Sequence, residues 1–533
     1  MHRASFHWDM TSEAAPSRSA EPIRPVSVQA TRGFVWMAAQ AGVGKLIALV
    51  GQVILARMLI RDDWGLIAMA YTVSAFANII QQTGQREILI QRNRRFERWA
   101  STAFWMSMTS GLANSLVMAA AAPIAVWFYG RRELLGLVLI LSSWPVLNAA
   151  ITLPTAILQN QLRFRAIAGV YTFYGAGMLA FNILFAWMKM GAYSFALPWP
   201  IMGVLRVALM WWLAPHRVSL WPRFARWRYL LGTSAAVFAG RAALVLVSQA
   251  DFMMLGRFYR DDNSVVGVYF FAFNLSVLTI ALLTTNLEAV LFPVLSKSQD
   301  PQRQRFSTVN AAELLAVVAV PACFLQAGVA DSLLQSVFRP EAWYAAKWPL
   351  IILSVGMAFR AVGLPTQSLI QAQGRFRTFM LLNVIGAATF LAMVAGGAWA
   401  GYYWLRGEVT VAIAASIYCA GEGLADIYVA IRPQGGRWRD IRTVFFVPTL
   451  AGAGAVAIGF GVSLLLPGGN ALMHMLRMAI VCVVSLAVYA PAIRLLAPAT
   501  WNSLVARVVS LRHKPSPCAP SNEVQTEAQS ASA

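Results

Sequence analysis

Lys45, Arg206, Arg241 and Arg360 each stand inside a long apolar stretch, and so do Asp251, Glu288, Glu313, Glu422 and Asp426. If those stretches cross a bilayer, each charge costs at least about 2.5–3.5 kcal/mol at its centre unless it faces water, a partner or a ligand. Such residues therefore mark a site or a path. The four cations suit a concentrated anion such as a pyrophosphate, because guanidinium and ammonium groups hold phosphate oxygens by charge-assisted hydrogen bonds. Glu422 and Asp426, four residues apart, share one helix face and suit a proton or Na⁺. The competing reading for that pair is an interfacial charge cluster with Arg432. Glu288 and Glu313 complete the candidate coupling acids. Counted back from Arg57 and Arg257, Lys45 and Arg241 differ by four residues, about one turn along the same face. The expectation is that both present charge to one cleft; the alternative is a structural ion pair of Arg241 with Asp251 or Glu288.

Other chemistries lack their residues. Cys323, Cys419, Cys482 and Cys518 are scattered, and so are His2, His7, His216, His474 and His513, so neither a disulfide framework nor a metal site is expected. No paired-carboxylate or nucleophile motif appears, and no loop exceeds about twenty residues, which argues against a membrane polymerase or glycosyltransferase. No cofactor is implied.

The elements that must position these charges follow from composition. The 533 residues are 58% hydrophobic and 12% charged, against about 45–50% and about 25% in soluble domains. A soluble fold could not hide that much apolar surface. Runs of roughly twenty apolar residues, each able to cross a hydrocarbon core about 30 Å thick, fall at 33–56, 65–85, 101–128, 134–158, 167–189, 192–214, 230–255, 266–290, 308–330, 347–371, 378–402, 408–430, 443–467 and 471–496. The fold class expected is all-α, a polytopic membrane protein of about fourteen transmembrane helices. Pro123, Pro154, Pro198, Pro321 and Pro365 interrupt these runs, as transporter helices permit where neighbours or water satisfy the freed carbonyls.

The formal net charge of +21 would suggest nucleic acid in a soluble chain, but the basic residues sit in short loops and form no nucleic-acid module. Loops after even-numbered runs carry Arg92, Arg94, Arg95 and Arg98, then Arg163 and Arg165, then Arg217, Arg223, Arg226 and Arg228. The later even loops continue with Lys297, Arg303 and Arg305, with Arg375 and Arg377, and with Arg432, Arg437, Arg439 and Arg442. Odd loops hold about half as many, so both termini are expected in the cytoplasm. The first thirty residues lack the apolar core of a cleavable signal, and the first helix is expected to act as its own insertion signal.

An internal repeat organises the whole. Ala56-Arg57-Met58-Leu59-Ile60-Arg61-Asp62-Asp63-Trp64-Gly65 is echoed by Gly256-Arg257-Phe258-Tyr259-Arg260-Asp261-Asp262 with Gly267 following, about 200 residues and six helices later, and Glu87 matches Glu288. Six intervening helices give both copies the same orientation, so they are parallel repeats about an axis along the membrane normal. The expected organisation is a disordered cytoplasmic N-terminus (1–30), an N-lobe (31–229), a C-lobe (230–442), two appended helices (443–496) and a cytoplasmic tail (497–533). Two six-helix lobes then enclose a central cleft. Tyr171 and Tyr174 are candidate cavity aromatics; most other Trp and Tyr residues mark helix ends.

The stretch Ile54 to Ala70, with Leu55-Ala56-Arg57 and Asp62-Asp63-Trp64-Gly65, resembles the opening signature of the bacterial polysaccharide transporter or oligosaccharide flippase family. That family lies in the multidrug/oligosaccharidyl-lipid/polysaccharide exporter superfamily. Asp251-Phe252-Met253-Met254-Leu255-Gly256-Arg257, Gly267-Val268-Tyr269 and Phe292-Pro293-Val294-Leu295-Ser296 look like its second lobe. The resemblance covers roughly residues 30–430. It implies a flippase, not an enzyme, of the bacterial inner membrane. The implied cargo is an undecaprenyl-pyrophosphate-linked oligosaccharide destined for surface polysaccharide: exopolysaccharide, capsule or O-antigen. Implied partners are that lipid-linked oligosaccharide, the bilayer, and a polysaccharide polymerase and glycosyltransferases. The rival within the superfamily is an ion-coupled multidrug antiporter, whose cavity should be dominated by acids.

Overall fold

A computed structural model describes residues 26–81, 96–216, 218, 235–284, 301–338, 340–404, 406–466, 469–498 and 501–502. Fourteen helical segments follow the fourteen apolar runs. They are α1 (Val26–Met58), α2 (Arg61–Ala77), α3 (Phe96–Tyr129), α4 (Glu133–Asn160), α5 (Phe164–Trp187), α6 (Tyr193–Leu213) and α7 (Ala235–Phe258). Then come α8 (Asn263–Thr284), α9 (Pro301–Ser336), α10 (Lys347–Ala372), α11 (Phe376–Tyr403), α12 (Gly407–Ile431), α13 (Trp438–Ser463) and α14 (Ala471–Leu496). Thirteen are long and apolar enough to cross a membrane among the described residues; α2, described as 17 residues, is the other.

Several helices start earlier or end later than their apolar runs: α1 at Val26, α3 at Phe96, and α9 from Pro301 to Ser336. Hydropathy marks where a helix meets hydrocarbon, whereas its backbone hydrogen bonds continue into the polar layer at no penalty. Prolines act unevenly. Pro123, Pro321 and Pro365 lie within continuous helices, whereas α4 is broken into three short helices with Pro145 and Pro154 near the breaks, and α6 is interrupted at Leu197.

The repeated turns meet each other. A Cβ on Gly65 would collide with the carbonyl oxygen of Asn263, and a Cβ on Gly267 with that of Arg61. Residues 61 and 65 correspond to 263 and 267 under one shift of 202, so the contact is reciprocal: each copy offers a glycine to the other copy's carbonyl. That reciprocity is the signature of a two-fold contact, and it closes α2 against α8 at backbone distance.

Arginines complete the closure. Arg57 donates through Nε (3.1 Å) and Nη2 (2.6 Å) to the carbonyl of Val337, just past the end of α9. Arg61 donates to the carbonyls of Ala342 and, at 2.9 Å, Glu341. In the other direction Arg260 donates to the carbonyl of Phe128 in the last turn of α3 at 2.5 Å. These acceptors are carbonyls that a helix end leaves without an intrahelical partner, at the negative end of the helix dipole. The aspartates have a separate task. Asp63 accepts from the N–H of Ile60 and Asp262 from that of Ser264, capping α2 and α8. The Arg-Asp-Asp motif thus combines a cap for its own helix with a latch onto the opposite half.

At the far end of the helices, the arginine-to-carbonyl bonds described are within one half: Arg163 to Leu213, Arg375 to Val429 and Arg305 to Gly435. The first six helices and α7–α12 are therefore joined at the Arg57–Gly65 end. If the loop charges set the orientation, that end faces the periplasm. Reporter fusions in the loops holding Arg94 and Arg226 should then read cytoplasmic and fusions beside Gly130 or Gly191 periplasmic; a periplasmic signal from either basic loop would reverse the assignment.

Candidate functional site: a charged pocket walled by α7, α10, α11 and α12

Four of the expected residues converge. Arg241, Arg360, Glu422 and Asp426 line one pocket of about 400 Å³, together with Ser248, Gln367 and Gln371. Helical periodicity explains the lining. On α10, Arg360, Gly363, Gln367 and Gln371 are spaced three, four and four; on α7, Arg241, Leu244, Val245 and Ser248 repeat the same face.

Two glycines bring the opposing charges close. A Cβ on Gly363 would lie 3.3 Å from Cα of Gly423, and one on Gly423 would be 2.6 Å from the carbonyl oxygen of Phe359. The small pair lets α10 and α12 cross closely, which sets Arg360 beside Glu422 and Asp426. On the opposite wall α7 approaches α11 at Gly240, where a Cβ would strike the ring of Phe379.

The carboxylates are held by neutral donors. The hydroxyl of Tyr418 donates to Glu422 at 3.1 Å, and Nε2 of Gln367 donates to Asp426 at 3.1 Å. Gln367 and Asn383 face each other at 3.4–3.5 Å, and Asn383 donates to the carbonyl of Phe379 at 2.7 Å. Arg360 lies in electrostatic range of Glu422 and Asp251. Yet neither Arg360 nor Arg241 makes a hydrogen bond or an ion pair with a described residue. Two guanidinium groups therefore line the pocket with no hydrogen bond or ion pair to a described residue, while the acids already have partners. That combination can take an oxyanion.

Asp251, 1% exposed, is not paired with Arg241; its carboxylate accepts from the hydroxyl of Tyr269 at 2.8 Å and from the N–H of Phe252 at 2.9 Å. The other expected residues lie elsewhere. Lys45 is half-buried on α1 and does not line the pocket. It stands two turns before Gln52, whose side chain reaches the carbonyl of Phe271 on α8 at 3.3 Å, so Lys45 shares the α1 face that meets the other half. Glu313 is half-buried on α9, outside the pocket, and Glu288 lies outside the described residues, as does its repeat partner Glu87. Arg206 is buried on α6 among Trp144, Tyr171 and Tyr174. Sequence reasoning missed Gln367, Gln371 and Ser248, although polar residues in register with Arg360 and Arg241 inside apolar helices were the available signal. It also missed Tyr418, which reads as an ordinary core aromatic until its hydroxyl is located. Among the described residues no cluster of acids, cysteines and histidines could hold a metal ion.

Thirteen membrane-length helices among the described residues, two sets of helices meeting at repeated arginine turns, and a charged pocket within the second set define a polytopic membrane protein with a transporter fold. The comparisons agree on that fold. The chain is similar to the lipid II flippase MurJ in an inward closed conformation, with a TM-score of 0.67 at 14% identity, covering 86% of this chain and 99% of MurJ. It is also similar to an inward-facing multidrug resistance transporter of the MATE family, with a TM-score of 0.56 at 13% identity, over 73% and 94% of the two chains. Residues 54–348 match the model of a polysaccharide biosynthesis protein family, and the chain belongs to that family. The teichuronic acid biosynthesis protein TuaB of Bacillus subtilis is 24% identical over 66% of this chain and 72% of its own length. The lipopolysaccharide biosynthesis protein WzxC of Escherichia coli is 23% identical over 82% and 88% respectively.

Proposed function

We propose that the protein is a flippase of the bacterial inner membrane that carries a polyprenyl-pyrophosphate-linked oligosaccharide from the inner to the outer leaflet. The observation that carries this reading is a pair of guanidinium groups, Arg241 and Arg360, that line one pocket within membrane-spanning helices and make no hydrogen bond or ion pair with a described residue. A pyrophosphate supplies the charge and the oxygens these donors lack. Its prenyl tail stays in the lipid while the sugar crosses the polar space. Lys45, on the facing half, adds a third cation along the path. The biosynthetic names of the relatives and the lipid II flippase among the fold's neighbours support the same cargo class. Transport without bond-making chemistry fits a site of binding groups; within this reading, polymerases and glycosyltransferases are partners in the pathway. On this reading the latches at the Arg57–Gly65 end form the outer gate, which must part for the cargo to leave.

Glu422 and Asp426 belong to the coupling side of the mechanism. They share a pocket with the cations, so a proton or Na⁺ arriving at the acids changes the field on Arg360 and with it the hold on the anion. The same two acids are the specific observation behind a second reading, an ion-coupled antiporter of cationic drugs. Flipping of a lipid-linked oligosaccharide by the purified protein in liposomes, set beside uptake of a cationic dye, separates the two: the first should occur and the second should not.

A further inference from the structure

Pro321 lies inside the 36-residue helix α9 (Pro301–Ser336) without ending it. A proline has no N–H, so the carbonyl four residues earlier, that of Val317, loses its intrahelical donor. In a membrane that carbonyl needs a partner from elsewhere. It has one: the hydroxyl of Tyr489 on α14 donates to it at 2.7 Å, with both residues buried. Helix α13 packs on the same turn, where a Cβ on Gly452 would lie 3.5 Å from Cα of Pro321 and 3.2 Å from Cδ2 of Phe324. The proline also divides the attachments of α9. On its inner side, Val317 is tied to α14, and Arg305 donates to the carbonyl of Gly435 at 3.1 Å. On its outer side, Gln326 donates to the carbonyl of Leu275 on α8 at 2.8 Å, Asp331 pairs with Lys347 of α10 at 2.8 Å, and Val337 accepts from the latch residue Arg57. One part of the helix is thus anchored to α14 and the α12–α13 link, and the other to the gate. Turning the helix about Pro321 swings the unsupported carbonyl, so the angular requirement of a hydrogen bond makes the Tyr489–Val317 contact fit one bend of α9.

We propose that Pro321 is a hinge of the outer gate and that the Tyr489 hydroxyl is its catch: the bond to Val317 is made with the gate closed and breaks as the outer part of α9 swings away with Val337. This rests on the reading of the Arg57–Gly65 end as the outer gate. It gives α14, which contributes no residue to the charged pocket, a part in the transport cycle. Tyr489 is a positioning residue that acts through the carbonyl it holds. Its removal favours the open gate by the worth of one net hydrogen bond, about two- to tenfold in population.

The test reads the gate itself, by pulsed electron paramagnetic resonance on the full chain in liposomes. Genetically encoded spin labels replace Arg132 and Trp404, two exposed residues at the latch end of the first and second halves. Tyr489→Phe should raise the ratio of long to short distances about two- to tenfold. In a Pro321→Ala background the same change should do nothing, because the alanine N–H then serves the Val317 carbonyl. Should Tyr489→Phe lower membrane abundance, Pro321→Ala should restore it for the same reason. An unchanged ratio in Tyr489→Phe, whatever its abundance, would overturn the proposal, since the hydroxyl would then be a static cap. So would an equal shift in both backgrounds, or a lost abundance that Pro321→Ala does not restore, because the hydroxyl would then act somewhere other than that carbonyl. Arg57→Ala separates the hinge from the gate: a shift there without one in Tyr489→Phe removes the hinge alone, and no shift in either removes the outer gate itself.

Discussion

Replacing Arg241 and Arg360 together by glutamine should reduce polysaccharide export at least a hundredfold while leaving the protein in the membrane. Each guanidinium lines the pocket with no hydrogen bond or ion pair to a described residue, so its removal breaks no hydrogen bond or ion pair among those residues. Each lost charge-assisted bond to a pyrophosphate costs about 1.5–3 kcal/mol, or about ten- to a hundredfold in affinity. Single variants should therefore fall about ten- to a hundredfold each, and Lys45→Gln should reduce export as well. Lys45→Arg should be partly tolerated because the charge survives. If these cations were structural, abundance and export would drop together, and removing an acidic neighbour such as Glu422 would restore both. Quantifying membrane protein alongside exported polysaccharide distinguishes the cases, and normal export by a well-expressed double variant would eliminate the cationic site.

Substituting leucine at Gly65 or at Gly267 should be more damaging than almost any other single change, and damaging to a similar degree at both positions. At each site the new Cβ meets a backbone carbonyl of the other repeat, Asn263 or Arg61. A side chain can rotate away, whereas a helix backbone moves only as a unit. Overpacking against side chains costs about 1–3 kcal/mol; against backbone the effect should lie at or above the top of that range. The reciprocal geometry is what makes the two effects comparable. Alanine at Gly421 or Gly175, where a Cβ meets nothing within 4 Å, serves as the control and should be neutral. Thermal stability of the detergent-purified variants, read with membrane abundance, checks this. Full stability of Gly267→Leu would mean that α2 and α8 do not meet there.

Arginine at the latches follows the same logic on a smaller scale. Arg57 and Arg260 donate to neutral carbonyls at helix ends. The bonds can be exchanged for water when the gate opens, at modest net cost per bond.

Much of this was legible in the sequence because a bilayer leaves few choices. Every spanning backbone must satisfy its own hydrogen bonds, so a run such as 471–496 maps directly onto α14, Ala471–Leu496. The same constraint makes intramembrane charge informative: Arg241, Arg360, Glu422 and Asp426 stand out by their cost and share a pocket, whereas Lys45, Arg206, Asp251 and Glu313, which stand out equally, do not line it. What the sequence hid was how helices pair. Nothing local says that Gly363 and Gly423 meet, and that crossing is what places acids and cations together rather than on opposite walls. The Arg-Asp-Asp repeat is visible as a pattern, but its division into a cap and a latch depends on the distant carbonyls of Ala342 and Phe128. Arg206 looked like a member of the same cationic set; only its ring neighbours, brought from α4 and α5, separate it. Helix ends were blurred because hydropathy follows the bilayer and not the hydrogen-bonded backbone.

The measurement that bears most directly on the central claim is the transbilayer movement of a fluorescent polyprenyl-pyrophosphate-linked oligosaccharide by the purified protein in liposomes. Wild type should move it well above the protein-free rate, and inorganic pyrophosphate should compete. The Arg241→Gln, Arg360→Gln double variant should fall to the protein-free rate. Movement at the protein-free rate by wild type, or undiminished movement by the double variant, would contradict the account.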